Sequence, residues 1–243
     1  MEPKNFEPGI KLIVLITRNR RLSIERFHYH WHRVHGPLAR EWCSRQAGGP
    51  INRYRQNHRI DAAPGDLPTL AFDGITEAWF DNRGALDDLW RIPGFRVNVQ
   101  PDEQGLIEMA EAVTLVTRER IWRESVSTPE ATAKLAFAIR RRSAMDDSAF
   151  DAALLAHGSK AASQRPACIY LSQSLVVSEE HYISPENPAA ESQIDAIEFI
   201  GWRDLATLEE EWVQMQADFL EDLAVFADLD ACAVIVTDER SIF

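Results

Sequence analysis

The sequence has no apolar run of the roughly 18 residues that a membrane span needs, and no charged-then-apolar stretch at its start. A soluble, cytoplasmic protein with no membrane partner is expected. Basic residues are in deficit: 26 Lys and Arg stand against 38 Asp and Glu, a net charge of -12. That balance argues against a nucleic-acid surface, which needs clustered cations. The local exceptions, Arg18, Arg20 and Arg21 and then Arg140 to Arg142, read as solvated turns beside strands. Cysteine is scarce as well. Cys43, Cys168 and Cys232 are odd in number, far apart and without metal-ligand spacing, so they read as buried free thiols in a reducing compartment. Of the three, Cys43 is the one placed to be a nucleophile, since it follows close after a His-Gly-Pro sequence. What is present in quantity is apolar residue, 45% of 243, enough for a core in one large or two small domains.

The chain is organised around residues 22 to 38. Ile24, Phe27, Trp31, Val34 and Leu38 recur at three-and-four spacing, which predicts an amphipathic helix with one buried stripe. Ser23 is placed to cap it, and Gly36-Pro37 should break it, because a residue before proline is pushed out of the α region. His28, His32 and His35 fall on one flank of the stripe, where they can look into a cleft.

Strand-like runs surround this helix. Ile10 to Ile16 is a buried strand, and Ile51 to Ile60 alternates, with Tyr54, Gln56 and His58 on one face and Arg55 and Asn57 on the other. Asp61 to Leu70 is a Pro/Gly loop long enough to be a lid or binding loop. Asp73 to Asp81 is a third strand, with Asp73, Ile75, Glu77 and Trp79 on one face. A helix from Gly84, a stretch punctuated by Pro93-Gly94 and Pro101, a short helix near Glu103 to Met109 and a strand from Ala112 complete βαββαβ, the ferredoxin-like order.

The pattern then repeats. Lys134 to Ile139 echoes Lys11 to Ile16 at an offset of 123 residues, and His157-Gly158 answers His35-Gly36. Tyr170 falls opposite Tyr54, Gln173 opposite Asn57 and Ser174 opposite His58, while Thr237 to Arg240 closes the second half as Thr117 to Arg120 closes the first. A ferredoxin-like sheet has one face bare of helices, and that face must be buried. The expectation is an α+β protein: two ferredoxin-like βαββαβ units, residues 10–123 and 131–243, packed as an intrachain pseudo-dimeric α+β barrel and joined by a linker from Glu124 to Glu130. The second unit keeps apolar positions and loses polar ones, which places the functional cleft in the first.

The segment Trp31-His32-Arg33-Val34-His35-Gly36-Pro37 resembles the Trp-x-x-Val-His-Gly-Pro signature of the EthD-like family. The strand Lys11 to Leu15, the stretch Tyr54 to His58 and the stretch Phe72 to Asp81 extend the resemblance. It implies the dimeric α+β barrel superfamily of ferredoxin-like domains, and a small, ring-bearing catabolic or polyketide-type substrate.

His35 and His58 are the candidates for acid and base, since imidazole titrates near neutrality, and Tyr54 is a candidate to hold a substrate oxygen. Two have a structural alternative, His35 as a helix-end cation and Tyr54 as core, whereas His58 has no counterpart in the second half. Trp31 and Trp79 are expected to wall the cleft, and Asn57, Asp73 and Glu77 to bind substrate or orient a histidine. The reaction expected is a cofactor-independent lyase or isomerase step: dehydration, decarboxylation, cyclisation or ring isomerisation. A non-catalytic accessory or ligand-binding protein of an oxygenase pathway, and a cofactorless or haem-dependent oxygenase, stand as alternatives. No metal is expected, although His28, His32 and His35 have helical metal-ligand spacing, because no acidic or thiol ligand stands nearby in sequence. Homodimerisation of the fused unit is left open.

Overall fold

The structure, a computed structural model, describes residues 9–62, 67–124, 133–165, 167–179 and 193–243. The expected linker from Glu124 to Glu130 lies outside the described residues except for its first member, as do residues 63–66 of the long loop. Eight strands close into a barrel in the order β1-β3-β2-β8-β5-β7-β6-β4. They are β1 (Ile10–Ile16), β2 (Ile51–Arg59), β3 (Gly74–Phe80), β4 (Val113–Glu124), β5 (Ala133–Ile139), β6 (Tyr170–Glu179), β7 (Ala196–Trp202) and β8 (Ala233–Ser241). Every neighbouring pair is antiparallel, and the two halves of the chain meet at β2·β8 and β4·β6. Within each half the strands run second, third, first, fourth across the sheet.

Helices cover the outside. The first half carries α1 (Ile24–His30), α2 (Gly36–Cys43), α3 (Arg83–Leu89) and α4 (Gln100–Leu106); the second carries α5 (Asp147–Gln164) and α6 (Leu205–Ala224). Strand alternation therefore divides the core into three. One apolar cluster lies between the first half's helices and sheet, and another between those of the second half. The third, around Ile13, Leu15, Ile75, Leu115, Ala136, Ile197 and Ile235, fills one end of the barrel. Leu70 joins that end, because Pro68 and Leu70 hydrogen-bond to Val234 at the start of β8. The flank of the expected lid is thus a plug for the barrel.

The other end of the barrel interior is charged. Lys11 reaches Glu77 at 2.5 Å and Glu119 at 2.7 Å, and Lys134 reaches Glu77 at 3.0 Å and also Glu239. Tyr170 donates to Glu119 at 3.0 Å. Burial alone would raise the Glu77 carboxyl, but Lys11, Lys134 and Arg55 outweigh it and hold it well below the usual range.

Register corrects one part of the expected repeat. Gln56 faces Thr76 across β2·β3, and Gln173 faces Glu198 across β6·β7, so Gln173 takes the place of Gln56, Ser174 that of Asn57 and Leu175 that of His58. Tyr170 is therefore no counterpart of Tyr54. A register bulge between Ile51 and Arg53 alters the spacing at the start of β2, and a one-residue slip flips every side chain to the other face. Tyr170 points into the barrel, whereas Tyr54 points at the helices.

Candidate active site on the helix side of the first sheet

The helix expected to end at Gly36-Pro37 continues to Cys43, by way of a π-helical turn over Trp31–His35. Ser23 caps its start as expected, accepting from the Arg26 amide. Proline lacks the N–H an α-helix needs there, and its ring would press on the carbonyl four residues back. The π-turn avoids this by bonding the Gly36 amide to the Trp31 carbonyl, five residues back. The extra residue turns the following side chains by about 100°. Val34, expected in the buried stripe, is 38% exposed, and His35, expected beside His28 and His32, is 5% exposed and faces the sheet. Two glycines permit the close fit. A Cβ on Gly74 would fall 2.5 Å from Trp31 Cζ3, and one on Gly36 would fall 3.1 Å from Ile242 Cδ1.

Between this helix, β1–β3 and α4 lies a cavity of about 60 Å³, mostly apolar, with Trp31, His35, Cys43, Tyr54, Thr76 and Glu103 among its walls. His35 Nδ1 lies 2.9 Å from Asp102 Oδ2, and His30 Nε2 lies 2.6 Å from the other oxygen of the same carboxylate. Burial raises the Asp102 carboxyl, but the bonds from His35 and His30 more than offset this and hold it low. His35 Nδ1–H therefore donates to a carboxylate, and in a neutral ring held this way Nε2 is the acceptor nitrogen. Nε2 stands 4.0 Å from Glu103 Oε1. Burial, with Asp102 adding to it, pushes the Glu103 carboxyl up to about 7. The Tyr54 hydroxyl receives the Trp31 indole N–H at 3.3 Å and is pushed up to about 12 by burial. Cys43 also rises to about 12 for the same reason, so it is a thiol and not a nucleophilic thiolate.

Of the residues expected at the site, Trp31, His35 and Tyr54 come together here. His58 does not reach the cavity. Its ring packs 4.5 Å from that of Trp31 and 4.8 Å from that of His28, behind the indole. Burial, with Arg240 and the neighbouring histidines, pushes it down to about 2, so it stays neutral and cannot partner His35 as a titrating acid or base. Asn57, Glu77 and Trp79 lie on the opposite face of the sheet, inside the barrel. Asn57 donates to Glu77 at 2.9 Å and Trp79 to Glu119 at 2.6 Å, so none of the three can line the cleft or orient His35. Asp73 clamps the start of the turn after β1, accepting from the Arg18 amide and guanidinium at 2.9 and 2.7 Å.

The orienting carboxylates are Asp102 and Glu103, which the sequence reading missed. Pro101 looked like a breaker, but the helix runs through it by way of a second π-turn over Phe95–Val99, in which the Gln100 amide bonds the Phe95 carbonyl five residues back. An Asp-Glu pair just after such a proline is the signal that could have found them. Among the described residues no group of three or more His, Cys, Asp or Glu stands where it could hold a metal. A haem does not fit this cavity: ligand clefts of drug size are about 300–1,000 Å³, against about 60 Å³ here.

The second half repeats the dyad but closes it. His157, expected near a helix end, lies inside α5 and is buried. Its Nδ1 lies 2.5 Å from Asp222 and its Nε2 lies 3.3 Å from Glu198. Burial lowers an imidazole's pKa, yet Glu198 and Asp222 prevail and raise it, so His157 is clamped between two carboxylates. Gln173 donates to Glu198 at 2.8 Å, and Arg165 approaches the same carboxylate at 3.4 Å. Both ring nitrogens thus face carboxylates, and among the described residues neither faces a cavity for substrate.

A closed antiparallel barrel with helices outside defines the class, similar to dimeric α+β barrel folds. Within it, residues 19–110 match the EthD domain. No curated protein matches the chain in sequence. Among solved structures, an anthrone oxidase-like protein is similar with a TM-score of 0.64 at 7% identity, over 97% of this chain and 94% of that one. A putative monooxygenase from Lactobacillus acidophilus NCFM gives 0.58 at 10% identity, over 98% and 95%. A putative chlorite dismutase gives 0.52 at 10% identity, over 96% of each chain. At such identities the likeness is one of fold.

Proposed function

We propose that the chain is a fused pair of ferredoxin-like units, residues 10–123 and 131–243, whose first unit is an acid–base enzyme acting on a small, ring-bearing carbon acid. The observation that carries this is the Asp102–His35 pair with Nε2 free beside Glu103. In this mechanism His35 Nε2 takes a proton from a carbon next to a carbonyl, and Asp102 stabilises the imidazolium that forms. The Tyr54 hydroxyl donates to the oxygen that gains charge. Returning the proton to another atom completes an isomerisation. Giving it to a leaving hydroxyl, with Glu103 as a second acid, completes a dehydration. A benzene-sized cavity needs about 150 Å³, so a ring must push the short helix α4 outward to enter.

The neighbours' names favour a second reading, in which the same carbanion passes electrons to dioxygen. Both begin with the proton, and oxygen uptake separates them. The test is to incubate the protein with a panel of anthrone-type and hydroxyaromatic ketones and to follow product and oxygen together. Product without oxygen uptake supports the isomerase or lyase reading, and stoichiometric uptake supports the oxygenase. Binding without turnover of any substrate would leave an accessory ligand-binding protein.

A further inference from the structure

Gln56 has no part in the proton transfer just described, yet it is fully buried and touches three groups that frame the site. Its Nε2 lies 2.8 Å from the carbonyl of Trp31 and 3.4 Å from the Tyr54 hydroxyl, and its Oε1 lies 3.2 Å from His58 Nε2. These contacts fix one another in sequence. A backbone carbonyl can only accept, so the atom 2.8 Å from Trp31 O must be the amide nitrogen. The amide oxygen then faces His58, which must donate to it from Nε2. That leaves His58 Nδ1 unprotonated, and it is buried with no partner among the described residues.

The consequence for Tyr54 follows from counting. A phenolic oxygen has two lone pairs and one proton. Trp31 Nε1–H and Gln56 Nε2–H approach the lone pairs at 3.3 and 3.4 Å. The hydroxyl proton is left for the remaining direction, toward Thr76 and the cavity. The carbonyl held by Gln56 is also the one that accepts the Gly36 amide and closes the π-turn. We propose that Gln56 is the positioning residue of this site: it pins the π-turn to β2 and turns the Tyr54 proton to the cavity, with His58 held as the Nε2–H tautomer. The functional sense of this rests on the proton-transfer reading, but the arrangement itself can be tested in the free protein.

The experiment uses the full chain with ring-15N-labelled histidine and long-range 15N–1H NMR. Wild type should show His58 as the Nε2–H tautomer from pH 5 to 8. Gln56→Leu removes the acceptor, and the two tautomers should mix. Gln56→Glu keeps an acceptor for His58 but sets a carboxylate against the Trp31 carbonyl. Its Trp31 indole and Tyr54 ring resonances should depart from wild type at pH 8 and return toward it by pH 5, as the carboxyl protonates and can donate again. A residue that only fills space would lower the melting temperature of both variants without changing the tautomer or giving this acid rescue. An Nδ1–H tautomer in wild type, or a Gln56→Glu spectrum insensitive to pH, would overturn the proposal; the wild-type measurement stands even if a variant does not fold. Turnover surviving His35→Gln while these signatures hold would instead remove the proton-transfer reading and leave this one.

Discussion

Asp102 holds His35 through Nδ1 at 2.9 Å, and in the second half Asp222 holds His157 through Nδ1 at 2.5 Å. The same dyad therefore occurs twice, and what differs is the group facing the other ring nitrogen. Beside His157 Nε2 stands Glu198 of β7; the matching position of β3 is Thr76, and the acid nearest His35 Nε2 is instead Glu103 of α4, at 4.0 Å.

The open dyad should be the active one. Removing the base with His35→Gln should lower turnover by roughly 100-fold or more, the size of losing a positioned acid or base. Asp102→Asn should also reduce turnover by favouring the wrong tautomer. Steady-state rates with a substrate identified from the ketone panel check this, and unchanged rates in both variants would sink the assignment.

The closed dyad should matter for stability alone. His157→Gln leaves Glu198 buried with Arg165 as its remaining cation, 3.4 Å away. Breaking a buried charge pair costs about 3–5 kcal/mol, more than a helix-end charge would. The histidine's raised pKa sets the pH window: its stabilisation is full below its ordinary value near 6.5 and fades as pH rises through the higher folded value. Thermal melts at pH 6 and at pH 9 should show a larger deficit for the variant at pH 6, with turnover within a few-fold of wild type.

Glu103 should have the opposite signature to an ordinary carboxylate. Its pKa rises from 4.5 to about 7 in the folded chain, so the folded state binds more protons over that interval. By linkage, its contribution makes wild type lose stability as pH rises from about 4.5 to about 7. Glu103→Gln removes that slope. The melting temperature of the variant relative to wild type should therefore climb between pH 5 and pH 8, and a gap that is flat or shrinks would contradict the buried placement.

Glu77 should prove structural. Glu77→Gln leaves Lys11 and Lys134 in the barrel with one fewer anion between them. A loss of about 3–5 kcal/mol is expected, or roughly 6–20 °C in melting temperature for a chain of this size. Turnover measured well below the new melting point should be unchanged.

Periodicity made the barrel legible, because strands with one face on helices and one face inward repeat apolar residues in a way that packing demands. It placed Trp31 and Tyr54 in the helix–sheet core for the same reason. It failed where a single residue changes the phase. The π-turn at Trp31–His35 separated His35 from His28 and His32, and an alignment of β6 on β2 one residue out of step made Tyr170 look like a second Tyr54. Asn57, Glu77 and Trp79 were legible as polar or aromatic positions on particular strand faces. Which face turned inward was not, because this barrel carries charge inside as well as outside. Asp102 and Glu103 were hidden by Pro101, which a π-turn lets a helix run through, as it does at Pro37.

The π-turn gives one helix two phases: buried Phe27 before it and Trp31 at its start obey one register, and His35 at its end obeys another, one residue apart. Insertions and deletions, usually tolerated only in loops, therefore have a meaning inside this helix. Deleting Arg33 would restore a continuous α-helical count and carry His35 round toward solvent, beyond the reach of Asp102. The same deletion would set the ring of Pro37 against an intact helical turn. The helix can thus keep its length or its chemistry, and loss of the His35 ring contact to Tyr54 in NMR spectra of the deletion variant would show which it gave up.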